Sequence, residues 1–374
     1  MDIFAAGAEW VTWLLSNGLP FLAVLTVIVF VHELGHFLVA RWSGVNVEIF
    51  SVGFGRAIAG WYDRKGTQWK IGWIPLGGYV KFQGDANAAS MPSGDQAPGK
   101  PGDFQTATLG RRAAIVVAGP LANFLLAIGI FAASFTIVGM PISPPVVEEV
   151  VPGSAAEEAG ILPGDRVMRI EDYEITSFTE IPKLVGDRAG QELTVILERD
   201  GRELSLRVTP RMTASPDGVG GADRGLLGIK RDIGQDLVYE KKNPIEAIGL
   251  GVSETYFVIE RTLAAVKGLI LRQVGVEQLA GPVGIAQISG QAASMGFAAL
   301  IHLVAVLSIS IGLINLFPIP ILDGGHLVFY AIEAVRGKPL GPNAQEWSLK
   351  VGLALVLMLM LMTVWIDFSR IFQG

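Results

Sequence analysis

The chain has 374 residues, 51% of them hydrophobic and only 17% charged, where soluble domains carry about 25% charged residues. That composition excludes an ordinary soluble domain and points to a membrane protein. A net charge of -6 argues against a nucleic-acid binder, which needs a basic face, and the absence of cysteine removes thiolates from any set of metal ligands.

A hydrocarbon core about 30 Å thick takes roughly 20 apolar residues in helix. Four stretches qualify: Leu19 to Arg41, Ala113 to Met140, Phe297 to Leu322, and Leu349 to Phe368. The first follows a segment with Asp2 and Glu9 but no Lys or Arg, and no small-residue cleavage site comes after it, which argues against a cleaved signal peptide. Residues 41–112 hold nine Lys and Arg, so the positive-inside rule puts the amino terminus outside and this loop in the cytoplasm. The connection from Glu333 to Lys350, with Arg336, Lys338 and Lys350, agrees. The segment between the second and third spans then faces outside.

The cytoplasmic loop after the first span alternates apolar and polar residues between glycines, as strands and hairpins do. Its Trp61, Trp69, Trp73 and Tyr79 suit a membrane interface. Asn87 to Gly102 turns to Ala, Ser, Pro, Gly and Asp and reads as a flexible run. Beyond the second span, VVEEVV and RVMRIED read as strands, SAAEEAG and FTEIPKLVGD as short helices. LTVILERDGRELSLRVTP reads as a hairpin turning at Asp200-Gly201. A glycine-rich stretch, Gly218 to Gly221, precedes a last strand, GLLGIKR. Asn243 to Ile270 has the pattern of an amphipathic helix lying along the membrane surface, and Gly281 to Gly290 reads as a loop.

The chemistry is concentrated in the first span, in VHELGH. His32 and His36 are four residues apart, so one helical face presents both imidazoles to one ion, with Glu33 beside them. In this H-E-x-x-H pattern a metal acidifies a bound water and the glutamate takes its proton. Ionisable residues inside a span are functional by default. A catalytic zinc typically has three protein ligands and an open position. The third comes from NLFPIPILDGGH, where Asp323 and His326 are the candidates and Asp323 the preferred one. His302, 21 residues before Asp323, would lie about 30 Å away along a helix.

HELGH in the first span, GPLAN at Gly119 to Asn123 in the second and NLFPIPILDGG in the third together resemble the site-2 protease family, in its bacterial regulator-of-sigma-E protease branch. The resemblance implies one zinc per chain on His32, His36 and Asp323, with Glu33 as general base. It implies substrates that are single-span proteins, such as anti-sigma factors already trimmed outside the membrane, and remnant signal peptides. It lends substrate-binding roles to Asn315 and Asn123. An unwound substrate needs partners for its backbone, which a sheet edge would supply. The candidates are Gly77 to Gly84, with Tyr79, Val80, Lys81 and Phe82, and the hairpin around Gly53-Phe54-Gly55; the rival reading is a membrane-surface sheet without substrate contact.

The outside domain resembles a circularly permuted PDZ domain, with Gly225, Leu226, Leu227, Gly228 and Ile229 as a loop that would present N–H groups to peptide C-termini. The same loop reads equally as a closing strand. The expected fold is thus a polytopic α-helical membrane protein with four transmembrane helices, a cytoplasmic membrane-associated β-loop and one extracytoplasmic PDZ domain. Its parts are residues 1–142, 143–236, 237–296 and 297–374. The expected setting is a bacterial inner membrane, with the amino terminus and PDZ domain periplasmic and the active site near the cytoplasmic side. The rival readings are a metal-ion transporter and a proteolytically inactive PDZ scaffold.

Overall fold

The structure, a computed structural model, describes residues 11–84, 100–213, 224–231, 237–272, 275 and 280–373. Most of the expected flexible run and all of the glycine-rich stretch Gly218 to Gly221 lie outside the described residues. The chain divides into two compact units, Met1–Ala133 with Ile245–Gly374, and Ser134–Pro244.

Four helices in the described residues are long and apolar enough to cross a membrane: Val11–Trp42, Leu109–Ile137, Phe297–Asn315 and Asn343–Arg370. In the first unit a π-helical turn, Leu14–Gly18, follows helical residues 11–13 and runs into α1 (Leu19–Trp42). Val24, Ile28, His32 and His36 recur every four residues along its buried face, the spacing at which helical side chains stack on one side. Gly44, at φ +79°, turns the chain out of the helix.

Strands β1 (Val47–Tyr62) and β2 (Gln68–Phe82) follow, each bent through glycines. Ile49 lies opposite both Gln68 and Lys81, and Phe50 opposite both Trp69 and Val80, so the first half of β1 has neighbours on both edges. Gly78 to Phe82 consequently forms an outer edge. Phe50 packs against Phe37 of α1 at 5.4 Å and Trp69 at 4.3 Å between ring centres. Arg41, in the last turn of α1, donates to Asp63 (2.5 Å) and Thr67 (2.7 Å) in the turn between the strands and so fastens the sheet to the helix. Burial raises the Asp63 carboxyl, but hydrogen bonds from the Trp69 indole, the Lys65 and Thr67 N–H groups and Arg41 outweigh it and hold the group below its ordinary value. Beyond the bend, Ile58, Trp61, Tyr62 and Trp73 are exposed.

α2 (Leu109–Ile137) contains Pro120. It crosses α1 where Gly35 lies on the Ala118 carbonyl, an approach that no Cβ permits.

The second unit contains β3 (Met140–Ile142), β4 (Glu149–Val150), α3 (Ala155–Glu158), β5 (Arg166–Ile170), β6 (Tyr173–Glu174), α4 (Ile181–Gly186), β7 (Leu193–Arg199), β8 (Arg202–Val208), β9 (Arg211–Thr213), β10 (Arg224–Leu226), β11 (Ile229–Lys230) and β12 (Val238–Glu240). The largest sheet has the order β6-β5-β7-β8. Its hairpin turns at Asp200 and Gly201, both at positive φ (48° and 74°), as a type I′ turn requires. Val167, Ile170, Val195 and Leu197 face Ile161, Phe178, Ile181 and Val185 in the core. Asp165, 1% exposed, receives two 2.6 Å bonds from Arg199 and one of 2.8 Å from the Leu162 N–H. Two expectations change here. GLLGIKR is two short strands, because Gly228 at φ +83° breaks the run and sends β10 to β9 and β11 to β4. The unit also begins and ends outside residues 143–236, because β3 pairs with β12.

The chain returns to the first unit with α5 (Pro244–Ile270), whose buried Ala247, Gly251 and Thr255 share one face. Gly251 rests on the Ile128 carbonyl of α2. Of residues 281–290, expected as a loop, all but the N-cap Gly281 belong to a helix, α6 (Pro282–Ser294). Its first N–H groups have a distant acceptor, the buried carboxylate of Asp367, which takes hydrogen bonds from Gly281, Val283 and Gly284, each 3.0 Å. α7 (Phe297–Asn315) is shorter than the expected third span. Pro318 and Pro320 keep the following residues out of a helix, and a separate helix, α8 (Asp323–Arg336), begins at Asp323. α9 (Pro342–Gln373) closes the unit.

Candidate active site

α1 supplies His32, Glu33 and His36, and α8 supplies Asp323 as its first residue. Helix N-termini favour carboxylates. The turn that brings Asp323 in is tight: a Cβ on Gly324 would strike the Leu316 and Phe317 carbonyls, and one on Gly325 would strike Ile319 and Pro320. Arg112, at the start of α2, bonds Glu333 at 2.5 Å and lies over the Tyr330 ring, which ties the body of α8 to α2.

Three donor atoms converge. His32 Nε2 and His36 Nε2 are 3.2 Å apart, and Asp323 Oδ2 is 3.1 Å from the first and 3.6 Å from the second. A tetrahedral zinc with bonds of about 2.0–2.1 Å sets its ligand atoms about 3.3–3.4 Å apart, the size of this triangle. Asp323 Oδ2 is buried, and no hydrogen bond of acceptable geometry reaches it. A buried carboxylate oxygen without a hydrogen bond is costly unless a cation balances it.

The far side of each imidazole fits the same assignment. His36 Nδ1 lies 2.8 Å from the Ile115 carbonyl, so Nδ1 donates and Nε2 is left with its lone pair. His32 Nδ1 lies 3.3 Å from the Asn123 side-chain amide. Asn123 Oδ1 has no partner in its present orientation. Rotating that amide by a half turn gives the His32 Nδ1–H its acceptor and pairs Asn123 Oδ1. The rings fit against α2 because residue 119 is glycine: a Cβ there would overlap His36 Nε2 and approach His32 Cε1 to 2.9 Å.

A cavity of about 300 Å³ opens on this cluster, lined by Glu33, Gly78, Tyr79, Val80, Phe82, Asn315 and His326 together with the three candidate ligands. The free edge of β2 runs beside it: a Cβ on Gly78 would meet Glu33 Cγ at 3.3 Å, and the Val80 N–H faces the Glu33 carboxylate. Lys81 points elsewhere and pairs with Glu48 at 2.8 Å. Asn123 is fully buried and touches His32 instead of lining the cavity. His302 is remote, against Phe131. His326 lines the cavity but lies outside the set of donor atoms within 4.8 Å of one another, which consists of His32, His36 and Asp323.

In the second unit, Gly225 packs on the Val185 carbonyl, and Leu227 is in the core. The Leu227 and Gly228 carbonyls accept from Ala156 and Val151, both at 2.8 Å, so this loop helps to close the unit's own fold. Leu226 ends β10 and Ile229 begins β11.

Sequence reasoning missed the Ile115 carbonyl, the contact of Gly119 with the two imidazoles and the Arg112–Glu333 pair, all contacts between segments far apart in the chain. It also missed α8, although Asp323 at its start and Gly337 just past its end are ordinary helix punctuation.

The family model for Peptidase family M50 matches residues 20–359. A protein of Rhizobium meliloti (strain 1021) is 47% identical over 94% of this chain and 96% of its own length. One of Agrobacterium fabrum (strain C58) is 47% identical over 94% and 95%. Both carry the name "putative zinc metalloprotease". Metalloprotease MmpA of Caulobacter vibrioides is 38% identical over 93% of this chain and 94% of its own. With a family model that spans most of its length and relatives similar from end to end, the chain belongs to Peptidase family M50.

Proposed function

We propose that the protein is an integral membrane zinc endopeptidase that hydrolyses a peptide bond within or beside the bilayer. The observation that carries this reading is the triangle of His32, His36 and Asp323 donor atoms opening on a cavity that also holds Glu33. Two neutral imidazoles and a carboxylate, with no thiolate, are a donor set of the catalytic zinc type. The names of the relatives also support zinc over other divalent ions.

Bound there, zinc supplies a Lewis acid that acidifies water and polarises a carbonyl. The rest of the chemistry falls to the chain. Glu33 takes a proton from the attacking water and delivers it to the departing amide nitrogen. His36 and His32 keep their Nδ1 protons on Ile115 and Asn123, which fixes both rings. Gly78 to Phe82 offers a strand edge with no neighbouring strand to an unwound substrate, whose N–H and C=O groups need partners away from water. Asn315, the last residue of α7, lines the cavity and is suited to hold substrate backbone.

The substrates are single-span membrane proteins, of the trimmed anti-sigma-factor or remnant-signal-peptide kind. The second unit is a permuted PDZ domain that receives peptide C-termini. The charge distribution supports an inner-membrane orientation with the amino terminus and this domain periplasmic.

The test is cleavage of a single-span substrate by the purified protein in detergent, with and without a chelator. Cleavage that stops with chelation, returns with zinc and is lost in Glu33→Gln at unchanged zinc content is the expected result. Proteolysis that survives either treatment overturns the reading.

A further inference from the structure

His326 is the one histidine lining the cavity, among the described residues, to which the mechanism above gives no part. It sits one helical turn beyond Asp323, at a spacing that places both side chains on one face of α8. Its ring packs edge-on against Phe329, with centres 6.0 Å apart. The other two cavity histidines are fixed through Nδ1, His36 to the Ile115 carbonyl and His32 to Asn123. No described residue provides such a bond to the His326 side chain. An imidazole in the cavity wall, in ring contact with Phe329 and with no such side-chain bond from a described residue, is placed to meet something that enters the cavity.

Peptide hydrolysis leaves a gap for such a group. Water oxygen bonds to the carbonyl carbon and one water proton passes through Glu33 to the nitrogen. The C–N bond then breaks to give a carboxylic acid and an amine. Negative charge builds on the carbonyl oxygen before that bond breaks, and an oriented N–H donor there acts on the transition state more than on the ground state. Glu33 accepts protons and cannot fill this role. Asn315 is already matched to the substrate backbone.

Resting on the peptidase reading, we propose that His326 is a catalytic residue, the N–H donor to the scissile carbonyl oxygen as it becomes negative. It keeps its proton throughout and is not a metal ligand.

The experiment compares His326→Leu and His326→Gln with the wild type in the full-length, zinc-loaded protein. Three quantities are read: zinc per chain, kcat and KM on one single-span substrate, and inhibition by a phosphinic peptide that mimics the tetrahedral intermediate. His326→Leu should keep its zinc and a KM within about threefold, lose about 10²- to 10³-fold in kcat, and bind the phosphinic peptide correspondingly more weakly. His326→Gln, which retains an N–H donor, should recover part of that loss.

A fully active His326→Leu overturns the inference alone, and so does loss of zinc from that variant, which would make His326 a ligand or a support for one. Equal losses in KM and in inhibitor affinity at constant kcat would also overturn it. A wild type that carries zinc yet cleaves nothing overturns the peptidase reading and this inference together.

Discussion

Gly119 of α2 lies directly beneath the His36 imidazole, and a methyl group at that position would occupy the space of its Nε2 atom. Gly119→Ala must therefore push the ring away from the donor cluster or force α1 and α2 apart. The expected outcome is a protein that inserts and folds but loses zinc by at least tenfold in affinity, measured by competition with a chromogenic chelator. Gly129→Ala, on the same helix with no atom near its Cβ, should bind zinc normally and serves as the control.

The free edge of β2 leads to a second expectation. The Val80 N–H faces Glu33 and the cavity, so proline there removes a donor from the substrate side, and edges tolerate proline best. Val80→Pro should retain zinc and lower cleavage by roughly tenfold or more, about the worth of one buried hydrogen bond or two. Unchanged cleavage in a correctly inserted protein would dismiss strand addition at this edge.

Asp165, paired with Arg199, contributes to the acid response of the second unit. Burial raises the Asp165 carboxyl, but the Arg199 hydrogen bonds, the Leu162 N–H and the Arg199 charge together hold it below its ordinary value of 3.8. A carboxyl depressed on folding stabilises the native state at every pH above its unfolded value and loses that contribution as pH falls through the lower folded one. At pH 7, Asp165→Asn should reduce hydrogen-exchange protection of the β5 and β7 amides by about tenfold or more. The difference from wild type should shrink only below about pH 4.

Asp367 gives a fourth. It is a 3%-exposed carboxylate in α9 that takes three N–H bonds at the start of α6. Asp367→Ala leaves those donors unpaired, which costs more than the bonds themselves contribute. Exchange of the Gly281 to Ile285 amides should accelerate by at least an order of magnitude, while α1 and the zinc content stay unchanged. Protection equal to wild type would mean that α6 is held by packing alone.

Several features could be read from residue order because they depend on local chemistry. Apolar runs of sufficient length identify the four helices, among the described residues, that are long and apolar enough to cross a membrane. A four-residue spacing puts His32 and His36 on one face, and Asp200-Gly201 specifies its own turn. Even the break at Pro318 and Pro320 was legible, since proline stops helices wherever it falls. Where local signals conflicted, the reading failed: the glycines of residues 281–290 suggest a loop, but three hydrogen bonds to Asp367, more than 80 residues away, stabilise a helix there.

Which of Asp323 and His326 brings a donor atom to within 4.8 Å of both imidazole nitrogens is a matter of tertiary structure, and it is Asp323. Both lie in one short segment, and residue order gives a preference for Asp323 but no distance from either side chain to the two imidazoles. That depends on the close crossing of α1 and α2 at Gly35 and Gly119, and on the Arg112–Glu333 bond that holds α8 against α2. The same packing buried Asn123 behind His32 and left the β2 edge open beside Glu33. Sequence periodicity decides which face of an element is apolar, whereas the position of a ligand to within an ångström depends on which backbones can touch. That is decided only when distant segments pack.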